Sequence, residues 1–222
     1  MIVWHLRICR TIFFMENILK HYFPQLTTEQ EDRFLRLKDL YIEWNSKINV
    51  ISRQDIANLE IHHFLFSLSI AARFPFKPGT RIMDAGTGGG LPGIPLAIFF
   101  PEVRFTLVDS IAKKIRVVEE ISKALDLKNV TPHWGRCEDV AGQFDFVTGR
   151  AVTALPDFLK LIRKKILVRS LNDFPNGVLY LKGGDLEQEL ETLRAKYTVY
   201  ELSAIFHESF FESKKLVHIF EF

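Results

Sequence analysis

The sequence predicts an α/β fold: a mostly parallel sheet with helices on both faces, an antiparallel hairpin at one edge, and a small helical lobe in front. Three observations predict it. From Thr80 onward, short apolar runs alternate with stretches of helical period, the pattern of strand–helix–strand units. Before Phe74-Pro75-Phe76-Lys77-Pro78-Gly79 the period is helical. From Tyr197 onward, two β-rich runs follow each other with no helical period between them.

The lobe spans residues 15–78. Thr27-Thr28-Glu29-Gln30 supplies a helix cap. Phe34, Leu35, Leu37, Leu40, Tyr41 and Trp44 then recur at three- and four-residue spacings. Asn45-Ser46 ends that pattern, and a turn carries Ile48, Val50 and Ile51. A second helix is expected over 55–74, with Leu59, His62, His63, Leu65, Phe66 and Ile70 near its apolar side. The second domain, 79–222, should place strands near 80–85, 103–109, 129–134, 144–149 and 177–182. Helices are expected near 92–99, 112–126, 155–168 and 185–195, and the hairpin from 197–206 and 215–222.

Composition sets bounds on function. The chain has 222 residues, 47% of them apolar, enough for one sizeable core. Net charge is +2, so a polyanionic partner would have to meet a local patch and not the overall field. Two cysteines, Cys9 and Cys137, make no disulfide framework and suit reduced thiols in a cytoplasmic protein. No apolar run reaches the roughly 20 residues of a membrane span. Residues 1–14 are apolar with Arg7 and Arg10 but lack a small-residue cleavage pattern. They read as an extension ahead of a more natural start at Met15.

The candidate site begins at Arg81-Ile82-Met83-Asp84-Ala85-Gly86-Thr87-Gly88-Gly89-Gly90-Leu91-Pro92-Gly93-Ile94-Pro95, a strand running into a glycine-dense turn and a helix. Glycines allow close backbone approach, a helix start offers unpaired N–H groups, and an acid ending the next strand, Asp109, can accept from a ribose diol. Together they indicate a nucleoside cofactor. Gly86, Gly88 and Gly90 are spaced G-x-G-x-G, not G-x-G-x-x-G, although Gly88 to Gly93 fits the dinucleotide pattern loosely. Asp84, two residues before Gly86, is unusual for a dinucleotide turn, and no P-loop lysine follows. An acid, G-x-G-x-G and a second acid some 20 residues on resemble the S-adenosyl-L-methionine (SAM) turn of the Rossmann-like class I SAM-dependent methyltransferases. Asp109 also reads as a cap for the helix from Ile111, and both roles are compatible. Cys137-Glu138, after the third strand, reads either as an adenine contact or as a plain loop.

The stretch Gly86 to Ala97, with its Leu91-Pro92-Gly93-Ile94-Pro95 continuation, resembles the signature of the 16S ribosomal RNA guanine-N7 methyltransferases, the RsmG or GidB family. Phe105 to Ser110, Lys113-Lys114, Arg136-Cys137-Glu138, Arg150-Ala151, Leu181-Lys182-Gly183, Trp44-Asn45 and Asn49 to Ser52 extend the likeness over about 15–222. The resemblance implies SAM as cofactor, with Gly86 and Leu91 lining it, Cys137-Glu138 on adenine and Arg150 on its border; Gly88 of the turn and Asp109, where the ribose hydroxyls would lie, are the other expected cofactor contacts. One departure stands out: Phe66, three residues after His63, occupies the place of the family's acid. Gly149 stands where a serine is common.

Guanine N7 carries an in-plane lone pair and no proton, so its methylation requires orientation and no general base. No catalytic residue is therefore named. The histidines lack metal-ligand spacing, and His62-His63 reads as helix packing. RNA should be held through its phosphates. Lys113 and Lys114 follow the cofactor acid, and Arg150 and Lys182 fall at strand C-termini, where α/β folds place ligands. Lys164 and Lys165 belong to a basic run that also reads as a solvated face. Arg136 suits phosphate or Glu138. The expected partner is 16S ribosomal RNA or the 30S subunit, met by a monomer with no metal and no membrane. Methylation of a small molecule or protein, and a non-catalytic SAM- or nucleotide-binding assembly factor, remain as alternatives.

Overall fold

The computed structural model describes residues 18–222, so the extension read at 1–14 lies outside the described residues. Helix α1 (Thr28–Lys47) opens on a capping box: Thr27 accepts from Gln30 N–H, and the Gln30 side chain accepts from Thr27 N–H. It buries Phe34, Leu37 and Tyr41, three and four residues apart. The second lobe helix is not a regular 55–74 element. It runs as a π-helical segment (Leu59–Leu65) into a short α2 (Phe66–Leu68), and turns follow. The π winding puts His62 and His63 side by side on Asp55, with Nδ1 of His62 at 2.5 Å and Nε2 of His63 at 2.7 Å.

Seven strands form one sheet: β1 (Arg81–Ala85), β2 (Arg104–Asp109), β3 (Val130–Trp134), β4 (Phe146–Arg150), β5 (Gly177–Gly183), β6 (Lys196–Glu201) and β7 (Lys214–Phe220). Their order is β3-β2-β1-β4-β5-β7-β6, parallel through β5 and antiparallel at β7. The edge pair β6–β7 is antiparallel as expected, but β7 lies inside β6, and 3-10 turns fill the connection. Helices α3 (Gly93–Phe99), α4 (Ala112–Ala124), α5 (Leu155–Ile162) and α6 (Glu187–Glu191) complete the fold. The last two are shorter than their sequence periods. A 3-10 turn (Arg163–Lys165) follows α5, and Ile166 bridges to Phe144.

Alternation along the strands divides the core into two faces. Ile82, Phe105, Leu107 and Phe146 pack with the lobe, α3 and α4. Met83, Ala85, Val108 and Val147 pack with Leu155, Phe158, Leu159 and Ile162 of α5. Asp84 shares Ile82's side of β1, so the parity of one strand aims a carboxylate at α3 and the lobe. The sheet reverses direction of growth between β1 and β4, where open α/β sheets leave a crevice for ligands.

Candidate active site

Asp84 is wholly buried and acts as the anchor of the glycine turn. One carboxylate oxygen accepts from Thr87 Oγ1 at 2.6 Å and from Gly93 N–H at 2.9 Å. The other accepts from Thr148 Oγ1 on β4 at 3.0 Å. Turn, α3 start and switch-point strand are thus tied to one side chain. Burial pushes its pKa up to about 6, against those three hydrogen bonds. Gly86 has φ +71°, and a Cβ there would stand 2.9 Å from Val152 Cγ2. Gly89 needs its missing Cβ for another reason, because one would fall 2.8 Å from Val50 Cβ. Tyr41, fully buried, donates to Gly89 C=O at 3.0 Å. The lobe therefore covers the turn directly, a role no spacing in Tyr41 or Val50 signalled.

Over the carboxyl ends of β1, β2 and β4 lies a cavity of about 370 Å³, lined by Gly86, Val108, Asp109, Ile111, Lys114, Cys137, Glu138, Ala151 and Val152 among others. That volume lies within the range of small-molecule sites. Asp109 accepts from Gly88 N–H and from Ile111 N–H, both at 2.9 Å, so it braces the turn and caps the approach to α4 together. Each of its oxygens keeps a further lone pair. Lys114 Nζ stands 4.0 Å from it. The Cys137 thiol donates to Glu138 at 3.3 Å, and burial pushes it up to about 11, so it is a protonated wall group and no nucleophile. Arg136 approaches Glu138 at 3.9 Å. Acidic acceptors and apolar walls suit a ribose diol and a flat base, while the N–H groups of Gly86, Thr87, Gly88 and Gly90 are taken up by Val108, Asp109 and Thr87 and hold the turn's own shape.

Arg150 ends β4 beside this cavity but turns toward the lobe. Its Nη2 stands 3.0 Å from His63 Nδ1, and its guanidinium lies 6.0 Å from the Phe66 ring centre. A guanidinium only donates, so His63 Nδ1 accepts; Nε2 then carries the proton and donates to Asp55 at 2.7 Å. Burial and Arg150 hold His63 down to about 4, leaving it neutral. The histidine pair thus does more than pack, contrary to the reading from sequence. Beyond Arg150, Tyr180 Oη accepts from the N–H groups of Val152 and Thr153 at 2.9 and 3.1 Å, fixing the loop that closes the cavity.

A protein-family model, GidB, described as rRNA small subunit methyltransferase G, matches residues 30–217. The chain belongs to that family. It is 55% identical over 204 residues to the ribosomal RNA small subunit methyltransferase G of Bacteroides thetaiotaomicron, covering 92% of this chain and 98% of that one. The protein of the same name from Flavobacterium johnsoniae is also 55% identical, over 92% of this chain and 97% of its own. Among solved structures, the fold resembles a precorrin-6y C5,15-methyltransferase from Geobacter metallireducens (TM-score 0.51, 11% identity, 79% of this chain and 92% of that one). It also resembles a SAM dependent methyltransferase from Aquifex aeolicus (TM-score 0.50, 14% identity, 69% and 87%). The fold is that of the class I SAM-dependent methyltransferases.

In this GidB-family chain the residues singled out from sequence divide by place. Gly86, Asp109, Cys137 and Glu138 line the cavity together. Gly88 braces Asp109 from the turn, Leu91 is buried behind it, and Arg150 borders the lobe. Lys113 is exposed on α4, and Lys114 faces the cavity. Lys182 ends β5 as read but pairs with Glu189, whose other oxygen accepts from Leu155 N–H at 2.8 Å. Lys164 and Lys165 follow α5 in its 3-10 turn and do not line the cavity. Lys165 C=O accepts from Phe144 N–H, just before β4 begins, while its ammonium donates to Val140 C=O and its charge acts on Glu138 of the cavity wall. Among the described residues no group of three or more His, Cys, Asp or Glu could hold a metal, and no helix is long and apolar enough to cross a membrane.

Proposed function

We propose that this protein transfers a methyl group from SAM to N7 of a guanine in 16S ribosomal RNA, as a monomer in the cytoplasm. The observation that carries the proposal is the cavity bounded by the glycine turn, Asp109 and Cys137-Glu138 at the switch point of the sheet. Membership of a family described by its action on small-subunit rRNA supports the substrate. The residues present fit SAM: Asp109 offers free carboxylate lone pairs to ribose hydroxyls, Glu138 an acceptor for an adenine amino group, and Gly86 a wall without a side chain. When bound there, SAM would supply a methyl group on a sulfonium: the C–S bond breaks as the guanine N7 lone pair takes the methyl, and a neutral thioether departs without proton transfer.

The chain contributes position. Asp84 holds Thr87, Asp109 holds Gly88 and Val108 C=O holds Gly86 N–H, so the turn keeps its shape beside the cavity. Tyr180 holds the N–H groups of Val152 and Thr153, and Val152 walls the cavity on the β4 side. Holding two reactants in register accounts for rate factors on the order of 10⁵ or more. Lys113, Lys114, Arg150 and Lys182, at the carboxyl ends of the strands, are the proposed RNA contacts near the target. Lys164 and Lys165, outside the cavity lining, would reach flanking RNA, Lys165 from the side of Glu138. The test is methyl transfer from labelled SAM to 30S subunits, naked 16S RNA and guanosine. Label in RNA, released as N7-methylguanine on depurination, is the expected result. Label only in a small molecule or protein, or SAM binding without turnover, would overturn the proposal.

A further inference from the structure

We propose that His62, Phe210 and Lys214 form the subsite that receives the ribosomal RNA beside the target guanine, stacking a base and neutralising a phosphate. This rests on RNA being the methyl acceptor. His62 comes from the lobe, Phe210 from the connection between β6 and β7 and Lys214 from the first position of β7, some 150 positions apart from His62 in sequence, yet they are contiguous in space. The imidazole of His62 stacks on the Phe210 ring, with centroids 4.0 Å apart and an interplanar angle of 14°. Lys214 Nζ lies 4.6 Å from the centre of the same ring. Among the described residues no carboxylate is within salt-bridge distance of Lys214, whereas its neighbours Lys182 and Lys215 are paired with Glu189 and Glu201.

Position relative to the cavity decides the function. His62 C=O accepts from Arg150 Nη1 at 3.5 Å, and Ala151, next in sequence, lines the cavity. Lys214 is register-paired with Gly183 at the carboxyl end of β5. The cavity occupies the β1, β2 and β4 end of the crevice, and this cluster continues it along the ends of β4 and β5. An acceptor that reaches the cavity from that side crosses His62 and Lys214. The platform is preorganised, since Asp55 fixes the His62 ring through Nδ1 at 2.5 Å and Phe210 meets Phe66 edge-on at 5.6 Å. A rigid flat stack next to an unmatched ammonium is the chemistry of single-stranded RNA binding.

The test uses the full chain and a 16S RNA fragment that the wild type methylates. His62→Ala should weaken RNA binding about tenfold, and His62→Phe, which keeps the stack, should restore most of it. Lys214→Gln should make the slope of log affinity against log salt shallower by about 0.7, and Lys214→Arg should not. SAM affinity and the thermal midpoint should stay at wild-type values in Lys214→Gln. Unchanged RNA affinity and KM in both His62→Ala and Lys214→Gln, with the wild type active, would overturn the subsite alone. A wild type that neither binds nor methylates RNA would overturn the acceptor reading, and the subsite with it.

Discussion

Replacing Asp84 tests whether a single carboxylate organises the cofactor turn. In Asp84→Ala, three donors lose their acceptor at a position with no solvent access. The hydroxyls of Thr87 and Thr148 can rotate to other partners, but Gly93 N–H at the start of α3 cannot. A buried unsatisfied donor costs about 1–3 kcal/mol, and partial loss of the two hydroxyl bonds brings the expected destabilisation to roughly 2–4 kcal/mol. Asp84→Asn keeps one oxygen for Thr87 and Gly93 and turns its amide toward Thr148, whose hydroxyl can accept, so about 1 kcal/mol is expected. The pH dependence separates the two further. The folded pKa of about 6 exceeds the ordinary 3.8, so the proton favours the folded state. That stability is fully present below pH 3.8 and is lost as pH rises through 6, by about 3 kcal/mol at about 1.4 kcal/mol per tenfold in proton affinity. The wild type should therefore lose ground to Asp84→Asn between pH 4 and 7. Urea unfolding read by far-UV circular dichroism measures both effects. An alanine variant as stable as the wild type, or a wild-type-to-Asn difference that is flat with pH, would refute this role.

Other outcomes follow from the same geometry. Gly86→Val places a β-branched side chain at φ +71° and within 3 Å of Val152, so SAM binding by equilibrium dialysis should disappear, with a stability loss of roughly 2–4 kcal/mol. His63 is held near 4, below its ordinary 6.5, so it contributes stability above pH 6.5 that is lost as pH falls through 4. His63→Gln should blunt that acid limb in a thermal-melt series. In a Cys9→Ser background, Cys137 should resist iodoacetamide at pH 8, because its thiol titrates only near 11. Alkylation at the rate of a free thiol would show that the wall group is exposed as thiolate.

The sheet was legible because buried parallel strands read as short apolar runs bounded by turns, and β1, β2, β4 and β5 fall within one or two residues of their expected places. The turn was legible because positive φ and close approach need glycine. What sequence could not reveal was who covers the turn. Tyr41 and Val50 sit at ordinary core spacings, and their contacts with Gly89 cross some 40 positions of chain. The same holds for Arg150, which ends its strand as read while its partner His63 comes from another lobe. Helix ends were also misjudged: α5 stops at Ile162 because Ile166 is recruited to a bridge with Phe144, a tertiary contact that overrides local period.

Gln30 gives this architecture a mechanical consequence. Its amide oxygen closes the capping box of α1, while its Nε2 donates to the C=O groups of Ile98 and Phe99 at 3.0 Å, the last turn of α3. Helix α3 is seven residues long, too short to persist alone, and it is clamped at its start by Asp84 and at its end by Gln30. One side chain is therefore the first stitch of the lobe and the last stitch of the helix behind the glycine turn. Fraying of α1 from its amino end releases both at once. The helix behind the glycine turn therefore owes the hold on its far end to a side chain some 70 positions away, in the first turn of α1.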